Sequence, residues 1–175
     1  IGVVRMIQKV IKYKYEGNTY DSFAQLKQAY PYISFPVGAD ADVLSTLGIE
    51  KVEEYPPLER CKEVLINAAK LRRDTAEVAP VEYKGNTYGF DTKSRDRLDI
   101  ALKALTVQGE GATIGWAMAD NSTAIITAAD IMGVFVTSAV RSNALHERYR
   151  KQKAAIEKAE SAEELNKIEL GATNE

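Results

Sequence analysis

The sequence contains few of the residues that build metal centres, disulfide frameworks and nucleophilic active sites. One cysteine, Cys61, and one histidine, His146, occur among 175 residues. A single thiol forms no disulfide framework, and a single imidazole forms no multi-histidine metal site within one chain. A Ser-His-Asp triad would depend on His146 alone, and no motif places a nucleophile beside that residue. We therefore expect a protein that is not an enzyme, with no catalytic residues, no metal ligands and no cofactor.

The sequence also lacks an excess of charge of either sign. It has 23 Lys and Arg against 25 Asp and Glu, which gives a formal net charge of −2. A nucleic-acid partner is not indicated, because binding to phosphates requires a basic surface. A local basic run from Arg141 to Lys153 alternates with Glu147 and is followed by glutamates, which is typical of a solvated helix face.

No apolar run is suited to a membrane. The most apolar stretch, 125–140, contains Asp130 and two threonines, and it is interpreted as a buried amphipathic helix. The N-terminal apolar run is too short for a secretory signal or a membrane span. We therefore expect a soluble protein in a reducing compartment, with no membrane span.

Proline is absent after residue 80, and this divides the sequence into two regions. All five prolines lie at or before Pro80, so the remainder is free to be mainly helical. The pair Pro56-Pro57 marks the predicted boundary between an N-terminal unit, 1–57, and a second domain, 58–175. The predicted fold class is α+β: a small N-terminal α+β unit, then a mainly helical part with short β-hairpins and a long C-terminal helix.

One short motif occurs twice. Residues 15–20 read Tyr-Glu-Gly-Asn-Thr-Tyr, and residues 83–88 read Tyr-Lys-Gly-Asn-Thr-Tyr. Glycine and asparagine tolerate the positive φ of a tight turn, and the flanking residues favour strands. We predict two hairpins that turn at Gly17-Asn18 and Gly85-Asn86, each followed by a capped helix. The repeat is either a common turn used twice or an internal duplication.

Capping residues and apolar spacing locate the other elements. Capping boxes begin at Ser22 and Ser161, and Thr127 with Asp130 is predicted to open the longest helix, from Ala128 to near Ala159. Further predicted elements are a short helix capped by Asp40 and ended by Gly48, a strand 49–55, a helix 58–78, a helix 92–106 and a hairpin formed by 113–118 and 123–126. The apolar stripe predicted for helix 58–78 consists of Cys61, Val64, Ala68, Leu71, Thr75 and Val78.

The longest helix changes character along its length. Its first half is broadly apolar and is expected to pack on the domain body through Ile131, Met132, Phe135, Val136, Ala139 and Val140. The other residues expected in the core are Leu98, Leu102, Leu105 and Trp116. The second half narrows to a seam of Leu145, Tyr149 and Ile156, a pattern typical of contact with another helix.

Four residues are candidates for binding a partner: Leu145, Tyr149, Ile156 and Trp116. The seam has three alternative covers: the helix from Leu58, a second copy of the chain, or another protein. We expect a second copy or another protein to cover it. Trp116 suits either a protein core or a protein contact, where tryptophan is enriched.

The order of several motifs resembles an uncharacterised domain family of tailed-phage and prophage proteins, often encoded beside tail-fibre genes. The resemblance is carried by the stretches 81–88 and 91–98, Trp116 with 119–121, the stretch 126–130, Arg141, His146 and 161–165. Residues 20–57 are similar to the front part of small phage tail proteins, through Leu26, Tyr30-Pro31, 34–36 and 47–49.

The resemblance implies a non-enzymatic phage tail protein that binds a tail fibre or the baseplate, in the virion tail or in the host cytoplasm during assembly. One alternative is a transient tail-fibre assembly chaperone, and another is a small cellular protein- or ligand-binding domain. The expected partners are a fibre or baseplate protein, with a homo-oligomer as a further alternative.

Overall fold

A computed structural model describes residues 7–35 and 41–171. The chain divides into two compact units. Of the described residues, the first unit contains 7–35, 41–65 and 159–168, and the second contains 66–158 and 169–171. The sequence prediction divides the chain once, at residue 57. In the structure the division falls inside a helix, α3 (Leu58–Glu77), and a short C-terminal segment belongs to the first unit.

The first unit is a small antiparallel sheet with short helices. Strand β1 (Val10–Tyr15) lies between β2 (Asn18–Tyr20) and β3 (Glu50–Glu54). The helices are α1 (Phe23–Ala29), α2 (Ala41–Thr46) and α6 (Ala162–Leu165). A small buried core is formed by Leu26, Leu44 and Ile49, surrounded by partly buried aromatic side chains.

Local capping chemistry determines where these helices begin and end. The Ser22 hydroxyl accepts a hydrogen bond from the backbone N–H of Gln25 at 3.2 Å, as the capping box predicts. The same arrangement occurs at α6, where the Ser161 hydroxyl accepts from the Glu164 N–H at 3.2 Å. Gly48 follows α2 with φ +74°, a left-handed conformation that suits glycine at a helix C-terminus. The predicted cap Asp40 lies outside the described residues.

Both predicted hairpins form, but each turns one residue earlier than predicted. The central turn residues are Glu16-Gly17, with φ of 47° and 79°, and Lys84-Gly85, with φ of 49° and 77°. Positive φ at both positions is typical of a type I′ turn, in which glycine takes the second position. The asparagines therefore begin the return strands, and the predicted turns at Gly17-Asn18 and Gly85-Asn86 are wrong by one position.

The second unit contains the long helices and two separate two-stranded antiparallel sheets. Its elements after α3 are β4 (Val81–Tyr83), β5 (Asn86–Tyr88), α4 (Thr92–Gln108), β6 (Thr113–Ala117), β7 (Thr123–Thr127) and α5 (Ala128–Lys158). Thr127 and Asp130 form the predicted reciprocal cap of α5: the Asp130 N–H donates to Thr127 Oγ1, and the Thr127 N–H donates to Asp130 Oδ2. The α+β class and the long C-terminal helix are confirmed.

The core of the second unit contains most of the side chains that the sequence assigns to it. Leu98, Leu105, Trp116 and Ile131 are buried, whereas Leu102 and Phe135 pack against the core and remain partly exposed. The other buried members are Val81, Tyr88, Phe90, Ala101, Met118, Ile126 and Val134.

The apolar face predicted for α3 is wrong beyond its first residue. Cys61 is buried, but the buried stripe then continues through Leu65 and Ala69 in steps of four residues. Val64 is 47% exposed and Leu71 is 67% exposed, and Val78, just beyond the helix, is 42% exposed. Two apolar stripes begin at Cys61, the predicted one through Val64 and the observed one through Leu65. Both have helical spacing, so periodicity alone does not determine which is buried.

Candidate functional site

The four residues predicted to bind a partner do not form one exposed surface. Trp116 is 6% exposed and Ile156 is 0% exposed, whereas Leu145 and Tyr149 are half-buried. The guanidinium of Arg73, on α3, lies 4.6 Å from the centre of the Tyr149 ring, within the range of a cation–π interaction. Helix α3 therefore contacts part of the seam within the second unit, as one of the alternatives for its cover expects.

His146 takes part in a polar cluster between α3 and α5. One carboxylate oxygen of Glu77, Oε1, lies 2.8 Å from His146 Nε2 and accepts a hydrogen bond from the Ser142 hydroxyl at 2.7 Å. In a hydrolase triad the imidazole accepts the serine proton, whereas here the carboxylate receives both contacts. The cluster therefore joins two helices and does not have the connectivity of a nucleophilic site.

Arg141 anchors the C-terminal end of α3 to α5. Its guanidinium donates to three backbone carbonyls, those of Glu77 at 3.0 Å, Ala79 at 2.9 Å and Pro80 at 2.9 Å. The bond to Glu77 satisfies a carbonyl group that the helix end leaves without a partner, and the other two hold the segment that follows α3. Burial lowers the pKa of this guanidinium. The sequence analysis places Arg141 in a solvated basic run, and this interpretation is wrong for that residue.

A groove in the second unit, the phenylalanine groove, lies beside this anchor and has a volume of about 550 Å³. Its apolar wall contains the rings of Phe90 and Phe135, which meet nearly edge to face with centroids 6.1 Å apart. The remaining lining residues are Asp74, Glu77, Val78, Arg95, Ser138, Ala139 and Ser142. Ring edges and aliphatic groups beside a few polar side chains make up the usual lining of a binding site.

The charged groups of the groove differ in whether they have partners. Asp74 accepts hydrogen bonds from the Arg73 guanidinium at 2.6 and 2.9 Å, and Glu77 is bonded to Ser142 and His146. The side chain of Arg95, on the first turn of α4, makes no hydrogen bond or ion pair with any residue that the structure describes. Of the three charged side chains that line the groove, Arg95 is therefore the one without a bonded partner among the described residues.

An exposed apolar stripe on α5 adjoins the groove. It consists of Met132, Val136 and Val140, which follow one another at four-residue spacing and are 51%, 61% and 69% exposed. Residues three or four apart are neighbours on a helix, so Met132 lies beside Phe135, and Val136 lies beside Ala139. We call these three residues the α5 stripe.

The α5 stripe contradicts the prediction that all six apolar residues of this half-helix pack on the domain body. Ile131 is buried and Phe135 packs partly against the core, while the α5 stripe lies on the side facing away from it. A signal was present in the sequence, because the six residues extend too far around the helix for one inward face. The phenylalanine groove was not predicted, since its residues come from four separate segments.

Metal binding and membrane insertion both require features that can be recognised in a structure. No group of three or more His, Cys, Asp or Glu side chains in 7–35 and 41–171 is arranged to hold a metal ion. No helix within those same ranges combines the length and apolarity needed to cross a membrane.

Comparison with known proteins gives one match. No curated protein and no solved structure matches the chain. A family described as Domain of unknown function (DUF4376) matches residues 60–169, which is more than half of the sequence. The match extends from the beginning of α3 to the segment after α6, and it includes the phenylalanine groove and the α5 stripe. The chain therefore belongs to the DUF4376 family of domains of unknown function.

Proposed function

We propose that this chain is a non-enzymatic bacteriophage tail protein that binds a tail-fibre or baseplate protein through the α5 stripe and the adjoining groove. The proposal is supported by the resemblance of its motif order to a family of tailed-phage and prophage proteins. The observation that carries it is the exposed stripe of Met132, Val136 and Val140 on an ordered helix. Contiguous exposed apolar surface is one of the features that mark protein interaction sites.

The position of the stripe suits a binding surface. Helix α5 is held at its N-terminus by the reciprocal Thr127–Asp130 cap and near its middle by the bonds of Arg141 to the end of α3. The backbone of an anchored helix is already ordered, so binding costs little backbone freedom, which favours affinity. Leu145 and Tyr149, half-buried on the same helix, remain candidates for the edge of the interface.

The test is binding of the full chain to fibre and baseplate proteins encoded beside it. We expect co-purification with one of them, and we expect Val136→Glu to weaken binding by at least about tenfold, because a charge would be buried in an apolar contact. Ala155→Glu adds the same charge to an exposed position further along α5 and serves as the matched control. Failure of every fibre and baseplate protein to bind would contradict the proposal.

Mass spectrometry of purified virions separates the two phage roles. A structural or attachment component stays in the particle, so its peptides are expected there in a fixed ratio to the fibre. A transient assembly chaperone binds the fibre in the host cytoplasm and is absent from the particle. The proposal favours a component that stays in the particle. If the protein binds the fibre but is absent from purified virions, the chaperone alternative is correct instead.

A further inference from the structure

The phenylalanine groove combines an accessible apolar wall with a cation that has no partner. Phe135 and Val78 are partly exposed in the groove, and Val78 retains 42% of its accessible surface. Arg95 faces the same space without an acidic partner among the described residues. The two carboxylates that line the groove, Asp74 and Glu77, are both bonded to other side chains.

We propose that this groove binds a segment of a partner protein that carries one large aliphatic side chain and one carboxylate near it. The inference rests on the proposed function, because it names the chemistry of the segment that the binding surface takes. The aliphatic group contacts Phe135 and Val78, the accessible apolar side chains of the groove, and the carboxylate pairs with Arg95. The α5 stripe then contacts the apolar residues that flank the segment.

The charge balance of the groove selects an acidic segment over a basic one. A lysine or arginine entering the groove would meet Arg95 as a like charge, and each of the two carboxylates there already accepts two hydrogen bonds from other side chains. A carboxylate entering the groove would instead be attracted to Arg95. The planar guanidinium donates two parallel hydrogen bonds to a carboxylate, the strongest polar contact that an arginine makes with a peptide.

The groove has room for an aliphatic side chain, and its lining suits one. A volume of about 550 Å³ is ample for one leucine-sized group with part of its backbone. Phe135 and Val78 supply the accessible apolar surface, since Phe90 is only 5% exposed, and both side chains suit contact with an aliphatic group. Among the described residues, no segment of the chain itself occupies this space.

The experiment is a peptide-display selection in which the full chain is immobilised. The displayed random peptides have about 12 residues, which is long enough to span the groove. We expect enriched peptides to carry Asp or Glu within about one helical turn of Leu, Ile or Met. As free peptides they should lose at least about tenfold in affinity for the Arg95→Glu variant, the effect of losing a charge-assisted pair and meeting a like charge. Arg95→Glu should fold, because a negative charge in the first turn of α4 suits the helix dipole.

Lys93→Glu is the matched control. It makes the same charge change in the same helical turn, at an exposed residue that does not line the groove, and it should alter affinity by less than about twofold. Enrichment of basic or uncharged peptides, equal losses in the two variants, or no enrichment would each overturn the inference. Self-association of the chain that Arg95→Glu abolishes would also overturn it, because the occupant would be a second copy.

The outcomes separate this inference from the proposed function. A fibre or baseplate protein that binds wild type and Arg95→Glu equally supports the proposed function and overturns the assignment of the groove. Acidic aliphatic peptides that bind through Arg95, while no fibre or baseplate protein binds, support the groove and overturn the proposed partner.

Discussion

The two hairpins of this protein carry nearly the same six residues and form the same turn in different surroundings. The turn φ values agree within 2° at both central positions. The registers also correspond, with Tyr15 opposite Asn18 in one hairpin and Tyr83 opposite Asn86 in the other. Everything that the copies share is local, which is the level at which turn chemistry acts.

The roles of the corresponding side chains differ. The last tyrosine of the first copy, Tyr20, is half-buried with its hydroxyl 3.4 Å from that of Tyr30, whereas the equivalent Tyr88 is 1% exposed in the core of the second unit. The residue before the glycine differs as well: Glu16 accepts a hydrogen bond from Tyr30, and Lys84 pairs with Asp130 at 2.8 Å. The motif thus encodes the turn, and distant residues determine what each tyrosine stabilises.

The largest expected effect comes from removing the last tyrosine of each copy. Tyr88→Ala leaves a cavity in the main core and should lower the free energy of unfolding by about 3–5 kcal/mol. Tyr20→Ala removes a half-buried ring and should cost about 1–2 kcal/mol. Urea unfolding of the full chain, followed by far-UV circular dichroism, measures both. Equal losses would mean that the two tyrosines have equivalent roles after all.

A smaller effect is expected from the close contact of the second hairpin with α5. A Cβ added at Gly133 would lie within 2.6 Å of Tyr83 Cε1, so that ring must shift to accept even alanine. The strain of about 1–3 kcal/mol is partly offset by the better helix propensity of alanine, and we expect Gly133→Ala to cost about 1–2 kcal/mol. In a double-mutant cycle the loss should shrink when Tyr83 is also replaced by alanine. Additive losses would show that Tyr83 is not the obstacle.

Asp130 makes the second hairpin sensitive to acid. Hydrogen bonds from Lys84 and Thr127 hold the pKa of this carboxyl at about 2, below its ordinary 3.8. The folded state therefore favours the carboxylate, and the resulting stability is present above about pH 4 and is lost as the pH falls toward 2. Because Lys84 is 63% exposed, we expect a contribution of only about 1 kcal/mol.

Unfolding at pH 6 and at pH 2.5 tests that contribution. Wild type should lose about 1 kcal/mol more than Asp130→Asn over this range, since the asparagine does not titrate. Lys84→Met is the comparison variant, because it removes the ion pair and leaves the Thr127 cap in place. An identical pH dependence in wild type and Asp130→Asn would refute the assignment.

The features that could be predicted from the sequence are those set within a few residues. The caps at Ser22, Thr127 and Ser161 were found because a hydroxyl and its N–H target lie three residues apart. The hairpins were located for the same reason, although the turns were displaced by one residue because Gly-Asn and X-Gly are both turn signals.

The features that could not be predicted depend on residues far apart in sequence. Arg141 looked like part of a charged helix face, and its carbonyl partners at residues 77–80 become visible only when α3 and α5 lie together. The buried faces of α3 and α5 were partly misassigned because apolar residues surround much of each helix, and packing decides which stripe is covered. The phenylalanine groove requires that same packing, so no local pattern could reveal it.

The smallest expected effect tests the turn and its surroundings together. Asn-Gly is the preferred pair for a type I′ turn, so asparagine at Glu16 or Lys84 should improve either turn by about 0.5–1 kcal/mol. Glu16→Asn gives up only an exposed hydrogen bond from Tyr30, so a small net gain should remain. Lys84→Asn leaves Asp130, whose side chain is 18% exposed, without its cation, and the gain should become a small net loss. Paired urea titrations measure the change in the free energy of unfolding for each variant. Changes of opposite sign would show that the same turn depends on different partners in the two hairpins, whereas equal gains would mean that the turn alone determines the stability of both.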